Sequence, residues 1–137
     1  MGSMSVLLVL SCVFAILAGL LHVYIFFMES IAWTSPRVRK TFGIASDAEA
    51  RATRSLAFNQ GFYNLFLAIG TFLGVVLAFA GNGGTGWPLI VFGTASMLAA
   101  AVVLVGTGRR YLSTALIQGS FPLIALLFAF LGSTFGV

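Results

Sequence analysis

HVYIFFMESIAWTSPRVRK, residues 22 to 40, sets the terms of this fold. An apolar segment carries a histidine and a glutamate, then reaches Trp33, a residue type that gathers at membrane interfaces. Thr34-Ser35-Pro36 stops the segment, because proline disfavours helix in the residue before it. Arg37, Arg39 and Lys40 follow in water. Upstream, no charge occurs from Met1 to Met28. The first span is therefore expected over residues 5–33, long enough to tilt in a bilayer.

The whole chain repeats this composition. Of 137 residues, 60% are hydrophobic and 7% charged, with a mean hydropathy of +1.09; soluble domains carry about 25% charged residues. This is an integral membrane protein. A hydrocarbon core about 30 Å thick takes about 20 apolar residues per helix, so four crossings use nearly all of the chain. The expected fold is all-α, a single membrane domain over residues 1–137 forming an up-and-down bundle of four transmembrane helices. The spans fall at about 5–33, 56–80, 88–105 and 111–135. Ser46-Asp47-Ala48-Glu49 reads as a capping box that starts the second helix in water, with the Ser46 hydroxyl and Glu49 carboxylate satisfying orphan backbone donors. Gly81 to Gly86 reads as a flexible uncharged loop, with Trp87 and Pro88 opening the third span.

The net charge of +4 and sequence pI near 10.0 would raise the question of nucleic acid in a soluble protein. Here the charges report orientation. Arg37, Arg39, Lys40, Arg51 and Arg54 lie in loop 34–55, and Arg109 and Arg110 in loop 106–110, which accounts for all seven. Four spans put both loops on one side, and the positive-inside rule makes that side the cytoplasm. The expected location is the plasma (inner) membrane, multi-pass, with both termini outside the cytoplasm and no nucleic-acid partner. Cys12, the single cysteine, has no intrachain disulfide partner and reads as a packing residue. Gly70, Gly74 and Ala78 form a small-residue stripe where another helix can approach.

Ionisable residues inside a membrane are costly and mark functional sites by default. His22 and Glu29 are seven apart, within about 20° of one face of a regular helix; Ser11, Ala15, Ala18 and Trp33 extend that seam. The second helix adds Asn59, Gln60, Tyr63 and Asn64 at the spacing that stacks side chains on one face. The fourth adds Gln118, one turn before Pro122. At about 1.5 Å rise per residue, His22 lies about 16 Å deep, Asn64 and Gln118 about 12 Å, and Glu29 and Asn59 about 5 Å. This predicts a cytoplasm-facing polar pocket lined by helices one, two and four, with Arg51, Arg54 or Arg109 available to pair with Glu29. The plainer reading of the same residues is hydrogen-bonding glue between helices.

The stretches LHVYIFFMESIAWTSPRVRKTFG (residues 21–43) and NQGFYN (59–64), then Gln118-Gly119 followed by Pro122, resemble the small four-helix membrane proteins grouped as domain of unknown function 1304. The resemblance covers nearly the whole chain. It implies the same topology, and its polar motif positions map onto His22, Glu29, Asn59, Gln60, Tyr63, Asn64 and Gln118. Leu21 stands where many members carry an acid.

Three functional classes fit these residues. The first is binding or conversion of a small amphipathic molecule, with His22 and Glu29 as the catalytic acid-base pair and Asn59, Gln60, Tyr63, Asn64 and Gln118 holding a polar head. The second is a proton-coupled small-molecule transporter acting as a homodimer, with Glu29 binding the proton or a cationic substrate. The third is a structural subunit without ligand. No cofactor is expected. Haem would find one axial ligand in His22 and no evident second, and one histidine with one cysteine falls short of a zinc site.

Overall fold

The computed structural model describes residues 4–135, which contain helices and turns and no strand. In chain order the elements are α1 (Val6–Phe26), a π-helical turn (Phe27–Ile31), α2 (Pro36–Phe42), α3 (Asp47–Phe79), α4 (Gly83–Thr107), a 3-10 turn (Arg109–Tyr111) and α5 (Leu112–Phe135). Four stretches are long and apolar enough to cross a membrane: Val6–Ile31, Asp47–Phe79, Gly83–Thr107 and Arg109–Phe135.

The chain divides into two compact units. One comprises residues 1–21 and 67–137, the other residues 22–66. In the first, the interior is small and the exterior large. Cys12, Ala15, Val75, Ala78, Ile90 and Ala125 form the buried cluster, Ser11, Thr71 and Thr94 are fully buried, and Phe92, Val103 and Phe130 are exposed. Lipid explains this inversion. Lipid tails are as apolar as leucine, so helices gain little by hiding large side chains and associate through close packing of small ones. The buried hydroxyls bond to backbone carbonyls: Ser11 Oγ donates to the Ala125 carbonyl at 2.8 Å and Thr94 Oγ1 to that of Ile90.

Two expectations for this unit change. Gly83 to Gly86 are the first turn of α4 and not a loop, and Pro88 stands inside the helix. The reason is proximity: a Cβ on Gly86 would lie 2.6 Å from the Ala78 nitrogen, and one on Gly74 2.8 Å from the Gly86 carbonyl oxygen. These glycines serve a close helix crossing. Gly70, by contrast, has open space where a Cβ would go, so the small-residue stripe of α3 is used at Gly74 and Ala78 only.

In the second unit, Ser35 caps α2 by accepting from the Val38 amide, Pro36 occupies its first turn, and Gly43 ends it with φ of 68°. Pro36 thus opens a short helix as well as closing the previous segment. The capping box of α3 is present: Ser46 Oγ accepts from the Glu49 amide at 3.1 Å, and the Glu49 carboxylate accepts from the Ala45 amide at 3.0 Å. Asp47 faces Arg51 at 2.7 Å, one turn along α3, and Arg39 at 3.9 Å.

Candidate functional site

Six of the seven polar candidates belong to the unit of residues 22–66: His22, Glu29, Asn59, Gln60, Tyr63 and Asn64. Within it the end of the first membrane segment runs antiparallel to the start of α3, fastened at three levels. Trp33 Nε1 donates to Thr53 Oγ1 at 3.1 Å, Ser30 Oγ to the Phe58 carbonyl at 2.8 Å, and Asn64 Nδ2 to Glu29 Oε2 at 2.8 Å. Phe26 and Phe62 meet edge to face with centroids 5.1 Å apart.

Glu29 sits in the π-helical turn, where the Ala32 amide bonds five residues back to the Phe27 carbonyl at 3.0 Å. Such turns insert a residue into an α-helix and often occur at functional sites. The turn also breaks the helical phase on which the stacking of His22 and Glu29 depended. The buried series Ser11, Ala15, Ala18, His22 and Ile25 passes to Met28, and Glu29 is half-buried beside it. Gly61 makes the turn possible from the opposite side. A Cβ there would strike Ser30 Oγ and lie 3.0 Å from the Ser30 nitrogen and 3.1 Å from the Phe26 carbonyl oxygen.

The partner of Glu29 is an amide and not an arginine. Among the described residues no arginine pairs with it; Arg51 holds Asp47 instead, because the two are one helical turn apart in water. Asn64 is buried, and its Nδ2 also donates to the Gln60 carbonyl at 3.2 Å. With two acceptors the amide is fixed, and it fixes the carboxyl group in turn.

A cavity of about 480 Å³ opens beside this pair. Glu29, Asn59, Gln60 and Tyr63 supply its polar wall, and Trp33, Leu56 and Ala57 its apolar one. Asn59, Gln60 and Tyr63 are exposed. His22 is fully buried and is not among the lining residues; Gln118 is half-buried on α5 and belongs to the other unit. Sequence reasoning missed Ser30, Thr53 and Leu56 as parts of this region, and only the four-residue recurrence of Glu49, Thr53 and Ala57 hinted at the face on which Thr53 stands.

The arrangement offers a carboxyl group held in one orientation, two amides and a phenol around an open cleft, with the apolar side chains of Trp33, Leu56 and Ala57 among them. Such a lining can hold a polar head by hydrogen bonds and its apolar remainder by contact. No group of three or more histidine, cysteine, aspartate or glutamate side chains suited to a metal ion occurs among the described residues.

Comparison with curated proteins and with solved structures returns no match. The profile of the family described as "Protein of unknown function (DUF1304)" matches residues 16–130, a span that includes the Glu29–Asn64 pair and every residue of the cavity wall. The chain belongs to that family.

Proposed function

We propose that this multi-pass membrane protein binds a small amphipathic molecule in the cleft beside Glu29, taking its polar head against Glu29, Asn59, Gln60 and Tyr63 and its apolar part against Trp33 and Leu56. The observation that carries this reading is one cavity lined by both polar and apolar side chains, with its acid oriented by Asn64. Conversion of the bound molecule would use Glu29 as the group that gives or takes a proton. His22, buried and off the wall, would act through its neighbours and not by touching the ligand.

Native mass spectrometry of the detergent-purified protein tests this directly. A discrete mass, neither detergent nor phospholipid, should accompany the wild type and be lost in Glu29→Leu and Asn59→Leu, while His22→Phe retains it. Equal retention in all four proteins would exclude the cleft as the binding site.

We also propose that the basic segments face the cytoplasm and both termini the outside, in a plasma membrane. Its support is the placement of Arg37, Arg39 and Lys40 on α2, of Arg51 and Arg54 in the first turns of α3, and of Arg109 and Arg110 at the start of the last apolar stretch, so that every base lies at or between the ends of the long apolar stretches. In a Cys12→Ser background, Lys40→Cys should react with a membrane-impermeant maleimide only after cells are permeabilised. Labelling in intact cells would reverse the orientation.

A further inference from the structure

A shallow, open groove of about 460 Å³ lies along one face of α3 between Arg51, Arg54, Ser55, Phe58 and Asn59. These positions recur at three and four residues and so share one face of the helix. Two of the five side chains are cationic and none is acidic. Arg51 commits its Nε to Asp47 at 2.7 Å, and its side chain is exposed. Arg54 makes no ion pair among the described residues. The site therefore carries a surplus of positive charge and two forked donors, the geometry that matches phosphate oxygens.

The depth of the cavity narrows the source of that phosphate. With 33 residues α3 is about 50 Å long, against a hydrocarbon core of about 30 Å. About 20 Å must therefore lie outside the core. Asp47, Glu49, Arg51 and Arg54, the only charges of α3, all fall in its first turns, so the wet end is the N-terminal one. Arg51 to Asn59 spans about 12 Å along the axis, more than the roughly 5–7 Å of one headgroup layer. The roughly 20 Å outside the core runs from Asp47 to about Gln60, so the groove begins at Arg51 on the aqueous side of the headgroups and reaches exposed Phe58 near the edge of the hydrocarbon. We infer that it holds the phosphate of an anionic phospholipid on Arg51 and Arg54, with the first acyl carbons against Phe58. A water-soluble phosphate ester shares the anionic group but has no use for Phe58. This site is separate from the cleft at Glu29, touching it only at Asn59, and its test leaves Asn59 intact.

The protein is reconstituted in nanodiscs of phosphatidylcholine containing one tenth phosphatidylglycerol, released into detergent, and weighed with its retained lipids. Wild type should keep phosphatidylglycerol at several times its bulk share, Arg54→Gln should fall to near the bulk share, and Arg54→Lys should recover part of the enrichment. Arg109→Gln removes the same charge from the other basic loop and should retain wild-type enrichment. Equal loss in Arg109→Gln would mean general attraction of charge and overturn the site, as would unchanged enrichment in Arg54→Gln. Displacement of the lipid by millimolar glycerol phosphate would overturn the lipid as its occupant.

Discussion

Two glycines of α3, nine residues apart, make opposite demands, and substituting each by alanine measures the helix contact that positions Glu29. At Gly61 the added methyl meets two backbone atoms of the facing segment, 3.0 Å from the Ser30 nitrogen and 3.1 Å from the Phe26 oxygen, and collides with Ser30 Oγ. The hydroxyl can rotate, but only by releasing the Phe58 carbonyl. The backbone atoms can move only if the two helices part by a few tenths of an ångström. Overpacking of this kind costs about 1–3 kcal/mol, and the lost interhelical hydrogen bond about 0.6 kcal/mol. Alanine returns about 1 kcal/mol as the better helix former. Gly61→Ala should therefore destabilise by about 0.6–2.6 kcal/mol. At Gly70 nothing lies within 4 Å of the added methyl, so only the propensity gain of up to about 1 kcal/mol remains. Reversible unfolding in mixed micelles, titrated with sodium dodecyl sulfate, should separate the variants by more than tenfold in the folding equilibrium, with Gly61→Ala below wild type and Gly70→Ala at or above it. Indistinguishable curves for the two would refute the close approach at Gly61, and with it the account of how the π turn is held.

The pair at the cleft should show coupling in a double-mutant cycle. Asn64→Leu costs its hydrogen bond when Glu29 is present and little in a Glu29→Leu background, with an interaction energy of about 0.6–1.7 kcal/mol; strict additivity would mean that the 2.8 Å contact contributes nothing. At the wet end of α3, Ser46→Ala removes the acceptor for the Glu49 amide and should cost about 0.5–2 kcal/mol locally. Trypsin cleavage after Arg51 and Arg54 should accelerate several-fold as the first turns open more often, and an unchanged cleavage rate would show that the cap does not hold them.

Much of the fold was legible because few residues defy the bilayer. Three acids and seven bases in 137 residues leave little choice about which stretches are apolar enough to span, and the Ser46–Glu49 box marks the helix start that the structure has. What stayed hidden depends on neighbours in space. Gly83 to Gly86 read as a loop by composition, yet they are helical, and Gly86 is where the helix approaches Ala78 too closely for a Cβ. The residues Phe27–Ile31 contain nothing that marks a π turn. Its counterpart is Gly61, a position that local propensity treats only as a weak helix former.

The same dependence explains what the site reading placed well and what it misplaced. Depth along ideal helices set Glu29 level with Asn59, but Glu29 bonds Asn64, about 7.5 Å further along α3. The inserted residue of the π turn changes both the rise and the phase of the chain at that point, and the assumed membrane boundary at Leu56 was a matter of composition alone. The correction bears on the plainer reading as well. Glue between helices calls for buried, bonded amides, and Asn64 meets that description. Asn59 and Gln60 do not: both are exposed, their side chains make no hydrogen bond among the described residues, and both line the cleft. The bonds of Trp33, Ser30 and Asn64 already fasten this pair of helices, so the two amides that remain have donors and acceptors to offer to something other than the protein.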